Sequence, residues 1–391
     1  MVNKSVTKRN YLNIAISFFC LAIITSSMGV IINKLISEGR FSLSDAGSII
    51  SARSLGYLSG AFLSGKLFKT IEYVKILPFY FFTIGFIMIG LLLSNSLLIF
   101  VVVYFLFGIV KNLITVGGNQ LATTSYKYNI YPNMINNIEF LYCIGNVFSP
   151  AIIGIIILNM GLPGVVILFV FLSIFNVILY FHKSEKISIN DMDYIMEKNQ
   201  KSHSATLILV VLFFAFYAGF EIFVNMFSPY VINLKTGNEY MSYLSNSLFW
   251  LFFSFTKIIF MPIIKHFFNE RSTVVYCLCG TIITFSVFMF SQNLIILVIF
   301  ISLLGMCMGN ILPYALMYLS ISNRISEDET SWCFLGLGIG GIMLTKGYSY
   351  FLEKGIYYVF IFAISQVVLL ILLFCLISYC KIFGNHKFSP P

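Results

Sequence analysis

Charge is what this chain lacks. Only 10% of its 391 residues are Asp, Glu, Lys or Arg, while 59% are hydrophobic and the mean hydropathy is +0.93. Soluble domains carry about a quarter charged residues, so the solvent of this chain is mostly lipid. Histidine is also scarce, at 4 residues, and the 8 cysteines (Cys20, Cys143, Cys277, Cys279, Cys307, Cys333, Cys375, Cys380) are scattered through apolar segments without a CxxC. That pattern reads as buried thiols in preference to a disulfide frame or a clustered metal site. No GxxxxGK[ST] loop is present, so the chain is not expected to hydrolyse ATP itself, and no cofactor is expected. No polar stretch is long enough for a separate catalytic domain, which argues against an enzyme. The formal charge of +9 is dispersed over short loops, where Lys and Arg set membrane orientation, so nucleic acid is not an expected partner.

What the sequence has is apolar runs almost end to end. A helix crosses a hydrocarbon core of roughly 30 Å with about 20 apolar residues. Residues 11–34, 43–68, 75–96, 97–125, 134–158, 163–182, 205–231, 240–266, 272–291, 293–322, 330–352 and 356–380 each supply such a run. The expected fold class is an all-α membrane protein with twelve transmembrane helices. Lys4, Lys8 and Arg9 precede the run Tyr11 to Ile32 as in a signal peptide, but that run is too long for one and is expected to be the first span.

The least apolar stretch, Lys183 to Ser204, divides the chain almost in half. We expect six-helix bundles at 1–182 and 205–391 joined by a linker at 183–204. With a cytoplasmic N-terminus, 16 Lys and Arg fall on the inner side, and only Lys34, Arg40, Lys235 and Lys354 on the outer. By the positive-inside rule, both termini and the linker are expected in the cytoplasm of a cell whose inner membrane the chain crosses many times. The halves echo each other. Span five (Cys143 to Gly154) and span eleven (Gly338 to Ser349) are glycine-centred, and FGIVKN (Phe107 to Asn112) in span four answers LGMCMGN (Leu304 to Asn310) in span ten, as in a parallel repeat.

From Leu43 the text LSDAGSIISARSLGYLSGAFLSGKLFKTIEYVK resembles the second span and following loop of major facilitator transporters. Gly56, Gly60 and Gly65 are small residues that let helices approach in lipid. The family loop reads G-x-L-x-D-R-x-G-R; this chain keeps Gly65 and Leu67 but has Lys69, Thr70 and Glu72 at the acidic, basic and second glycine positions. Span five is similar to the family's antiporter motif at Gly145, Pro150 and Gly154, with Ser149 and Ile153 where glycines are usual. The segments Gly117 to Tyr126 and Gly309 to Ser320 resemble the fucose-related sugar-symporter branch, although Lys111 stands where that branch has an acid. The resemblance implies the major facilitator fold and a monomeric secondary transporter of a small organic solute, symporter or antiporter, with protons as the coupling partner. No motif fixes the substrate.

Ionisable groups inside spans cost roughly 2.5–3.5 kcal/mol on insertion scales, so each is a functional candidate unless it snorkels. They are Arg53, Lys111, Glu139, Glu221, Lys257 and Lys346. Glu221 leads, because Tyr217, Asn225 and Ser228 at offsets of −4, +4 and +7 share its helical face. Asn246, Trp250 and Lys257 form a similar stripe on span eight, and Lys257 is a potential partner of Glu221. Arg53 cannot shed its charge and needs an anion or water. Asn112, Thr115 and Asn119 line span four next to Lys111. Glu139 shares a face with Asn136, Cys143 and Asn146, and Lys346 is expected to snorkel. The surplus of buried bases favours a carboxylate- or phosphate-bearing solute. Pro150, Pro229 and Pro313 are expected to interrupt spans five, seven and ten, and the aromatics, 17% of residues, to face lipid and the interfaces. The rival class is a membrane flippase or polymerase of polysaccharide assembly. A polymerase carries a long external loop, and here the only long loop is the expected linker.

Overall fold

The computed structural model describes residues 4–67, 73–93, 96–127, 134–181, 204–256, 269–321 and 330–384. No strand occurs among the described residues, which form eleven helical elements. These are α1 (Lys4–Ser37), α2 (Leu43–Leu67), α3 (Tyr73–Leu93), α4 (Leu97–Lys127), α5 (Met134–Phe181) and α6 (Ser204–Thr236). After them come α7 (Glu239–Phe255), α8 (Glu270–Phe290), α9 (Leu294–Ile321), α10 (Thr330–Lys354) and α11 (Ile356–Gly384). Seven of the helices are long and apolar enough to cross a membrane by length and composition. Many of their residues are β-branched or aromatic, poor helix formers in water. In lipid the helix wins because it satisfies every backbone group within one segment.

The chain turns sharply where sequence demands it. After α1, Gly39 takes φ 69°, and the N–H of Arg40 bonds back to the Leu35 carbonyl at 3.0 Å, a glycine C-terminal cap. Ser42 then opens α2. Its hydroxyl bonds Asp45 Oδ2 at 2.8 Å, and the Asp45 N–H returns to Ser42 Oγ at 3.1 Å, a reciprocal capping pair.

Spans five and six lie within α5, Met134–Phe181, as two helices divided by a kink at Gly161, in the gap between the expected spans 134–158 and 163–182; its φ of 65° and ψ of −163° belong to a region open essentially to glycine alone. One local expectation is corrected: the prolines do not interrupt their spans. Pro150, Pro229 and Pro313 lie inside continuous helices. One turn of the α5 ladder is patched from outside: the N–H of Ala151, next to Pro150, donates to Ser247 Oγ at 3.0 Å.

The chain divides into two compact units, Met1–Ile195 with Glu239–Ser247, and Met196–Asn238 with Leu248–Pro391. In the first, α1 packs along α5 and α2 along α4; in the second, α6 packs along α10 and α8 along α9. Glycine sets these distances. A side chain at Gly56 would strike the Phe105 carbonyl, and one at Gly108 the Arg53 carbonyl, so α2 and α4 touch backbone to backbone. Gly145 packs the same way on Phe19 of α1, Gly340 on Ala215 of α6, and Gly305 on Phe249 of α7. The glycine-centred echoes between the halves thus mark equivalent close approaches in each unit, the small-residue packing that lipid favours where hydrophobic attraction between helices is absent.

Aromatic side chains are not confined to lipid-facing positions. Phe62, Phe79, Phe82 and Phe86 are exposed, but Tyr104, Tyr217, Tyr314, Tyr348, Phe213 and Phe220 are fully buried. In the second unit Phe223 stacks on Tyr348 at 4.2 Å and meets Phe285 edge-on at 6.0 Å. Leu and Ile are abundant enough to cover the lipid surface, so rings fill the wider gaps inside. The buried-thiol reading also fails in part, because Cys279 and Cys375 are exposed on apolar helices.

The crossing of α2 and α4 yields a test. Gly108→Val drives a branched side chain into backbone that cannot rotate away, so folded protein should fall below detection in size-exclusion profiles. Gly90→Ala faces only a Val103 methyl, at 3.0 Å from the added carbon, and should cost no more than about 1–3 kcal/mol.

Candidate functional site

α6 has 33 residues and one acid, Glu221, close to its middle. Helical spacing puts Tyr217, Glu221, Asn225 and Ser228 on one face, and the structure shows what that face meets. Tyr217, 1% exposed, donates its hydroxyl to the Met308 carbonyl of α9 at 3.3 Å and also hydrogen-bonds Glu221. Asn225 Oδ1 accepts the indole N–H of Trp250 on α7 at 2.9 Å, a buried bond. Ser228 is 1% exposed, and its hydroxyl finds no partner among the described residues. Glu221 itself is half-buried. A carboxyl is thereby held between a tyrosine turn and an asparagine–tryptophan turn, all within the second unit. Such a group can exchange a proton or accept hydrogen bonds from a polar solute.

The sequence named both partners of the Asn225–Trp250 bond but did not pair them. Asn246 is fully buried in the part of α7 that belongs to the first unit, whereas Trp250 belongs to the second. Lys257 and the side chain of Glu139 lie outside the described residues.

In the first unit the charged candidates lie on the α2–α4 pair. Arg53 is 7% exposed, and the fully buried Tyr104 ring on α4 sits in its electrostatic field. Lys111 Nζ lies 5.5 Å from the centroid of the Tyr57 ring, a cation–π contact suited to a cation short of water. Asn112 is 1% exposed, packed against Gly60, with its Oδ1 lacking a partner among the described residues. Thr115 bonds back to the Lys111 carbonyl at 2.9 Å, and Asn119 is half-buried. Across the unit, Thr25 and Asn146 each bury a polar oxygen without a partner among the described residues. Ser149, where the antiporter motif has glycine, donates to the Ile23 carbonyl at 2.6 Å and ties α5 to α1.

Sequence reasoning missed Tyr57, Tyr104 and Thr25, whose lone polar atoms carry no signal until helix faces are known. It also undervalued the four bases assigned to the outer loops. Lys34 pairs with Glu239 at 3.1 Å, Arg40 approaches Glu38 at 3.9 Å, and Lys354 sits 4.4 Å from the Tyr350 ring centroid. Lys235 donates to the carbonyls of Phe288, Met289 and Ser291 at 3.0, 2.6 and 3.0 Å, capping α8 from another helix. Lys346 is exposed, as a snorkelling lysine would be.

The asparagine–tryptophan pair gives a prediction. Trp250→Phe keeps the ring and removes the donor, and Asn225→Leu removes the acceptor. A double-mutant cycle in thermal or denaturant unfolding should return a coupling of about 0.6–1.7 kcal/mol, the range for polar pairs between membrane helices.

No curated protein matches the chain at a significant level. By fold it is similar to the crystal structure of the nucleoside transporter NupG, with a TM-score of 0.75 at 12% identity over 95% of this chain and 99% of that one. It is similar also to a D-xylose-proton symporter, with a TM-score of 0.69 at 13% identity over 99% of this chain and 98% of that one. A bacterial homologue of the iron transporter ferroportin in the inward-facing state gives 0.71 at 14% identity over 97% and 100% of the two chains. The sequence itself matches the Major Facilitator Superfamily over residues 14–352. The chain therefore belongs to the Major Facilitator Superfamily, as a multi-pass membrane transporter and not an enzyme.

Proposed function

We propose that this transporter moves a small, polar, anionic organic solute by alternating access of two six-helix bundles, 1–182 and 205–391, with proton movement coupled through Glu221. The observation that carries the reading is the placement of Glu221. It is the sole acid of a mostly apolar 33-residue helix, hydrogen-bonded to buried Tyr217 one turn away and followed one turn on by the Asn225–Trp250 pair. A carboxyl in a membrane span is retained at a cost of a few kcal/mol, and proton relay is the use that most directly needs one. Two fold neighbours, a nucleoside transporter and a D-xylose-proton symporter, support a polar organic solute and a proton as its companion.

The anionic character rests on α2 and α4. Between them these helices carry Arg53, Lys66, Lys111 and Lys127 and a single acid, Asp45 at the α2 cap. Arg53 and Lys111, one buried and one resting on an aromatic ring, attract a carboxylate or phosphate more strongly than they would in water, because the local dielectric is low. The 16 to 4 distribution of bases supports a cell inner-membrane location with the termini and the 183–204 linker in the cytoplasm.

The solute is to be found by a thermal-shift screen across organic acids, sugar phosphates, nucleosides and amino acids. With that solute, Glu221→Gln, a permanently neutral amide, should abolish gradient-driven accumulation while retaining solute exchange. A variant that accumulates at the wild-type rate with an unchanged pH profile removes Glu221 from the coupling role. Arg53→Gln and Lys111→Gln should each lower uptake at equal protein level, and unchanged uptake in both removes the anionic assignment. For topology, single cysteines in 183–204 of a cysteine-free version should react with impermeant maleimide only from the cytoplasmic side.

A further inference from the structure

Away from the α6 stripe, two thiols meet where α8 runs along α9. On α8, Cys277, Gly280 and Thr281 share one face by their spacing of three and four residues, and Thr281 is 1% exposed. On α9, Cys307 reaches across that face: a Cβ built on Gly280 would lie 2.8 Å from its Sγ. The absence of a side chain at 280 is what leaves room for the Cys307 sulfur beside Cys277. Both cysteines are free and half-buried. Asn310, one turn after Cys307, is 2% exposed; it hydrogen-bonds Cys277, while its Oδ1 has no partner among the described residues. Two sulfurs and one amide oxygen are thus gathered on adjacent helices, with the oxygen buried and still able to accept.

We propose that Cys277, Cys307 and Asn310 form a binding site for a soft, thiophilic ion of the cadmium type, held by two thiolates and the amide oxygen. Soft sulfur ligands select such ions, and the single oxygen fills a third position without demanding a hard ion. Binding releases one proton from each thiol as its S–metal bond forms, with no change of oxidation state. The same pair captures a trivalent arsenical: phenylarsine oxide forms two As–S bonds, and its oxygen leaves as water with the two thiol protons. Occupancy would clamp α8 to α9 within the second unit.

The test uses the full-length protein and phenylarsine oxide, followed by a glutathione wash that strips singly bound arsenic. Intact mass should show one retained arsenical in the wild type and in Cys279→Ser, released by 2,3-dimercaptopropanol, and none in Cys277→Ser or Cys307→Ser. Cadmium ion alone should block capture in the wild type. Asn310→Leu should leave capture intact while weakening the cadmium block at least about tenfold, since losing a direct ligand costs no less than losing an outer-shell partner. Peptide mapping of the wild-type adduct should join the segments holding Cys277 and Cys307, which keeps the proposal testable if a serine variant misfolds. It is overturned by the absence of a retained arsenical in the wild type, by retention in either serine variant, by an adduct joining another pair, or by failure of cadmium to compete.

Discussion

Each peptide N–H and C=O that enters a bilayer must find its hydrogen bond within the protein, because the hydrocarbon offers none. The consequences run through the molecule. Mid-helix hydroxyls turn back on their own helix, as Ser17 does to the Asn13 carbonyl at 2.8 Å and Thr345 to the Gly341 carbonyl at 2.7 Å. Where proline disturbs the ladder in α5, the serine at 247 supplies the missing partner. Where α8 ends, Lys235 supplies three donors to three carbonyls. With the backbone of each helix satisfied in this way, the remaining freedom is how the helices pack.

That freedom is resolved by glycine. Between helices in lipid, the gain comes from close contact and not from escaping water. The backbone contacts of Gly56 and Gly108 in one unit, and of Gly305 and Gly340 in the other, bring helix pairs together along a long seam. In those seams the polar groups are either tied, as in the bond from Ser149 to Ile23, or left buried with an accepting oxygen, as in Asn112 and Asn310. Groups of the second kind are where a solute or ion can be recognised, since a buried acceptor gains most from a donor that arrives.

The helical content and the glycine echoes were legible in the sequence because hydropathy and residue size act locally. The break between spans five and six was legible as a gap between 158 and 163, but not its form, a single kinked residue at Gly161. The polar stripe of α6 was legible from its periodicity alone, and the structure added that Tyr217 and Glu221 bond each other and that Asn225 bonds Trp250. The cysteine reading failed for a physical reason: a thiol is apolar enough to sit on either side of a lipid-facing helix, so hydropathy does not separate Cys279 outside from Cys333 inside. Likewise Lys34 and Lys235 read as orientation charges, and only the fold shows which carboxylate or carbonyls each one holds.

The proposed coupling joins the movement of a solute to that of a proton, with Glu221 as the carrier. It is tested most directly by trapping a pH-sensitive dye in liposomes that hold the purified protein and adding solute with no imposed proton gradient. The expected result is a solute-dependent change of internal pH in the wild type that vanishes in Glu221→Gln while solute exchange persists. Solute movement in the wild type without any change of internal pH, or an equal pH change in the two proteins, would contradict it.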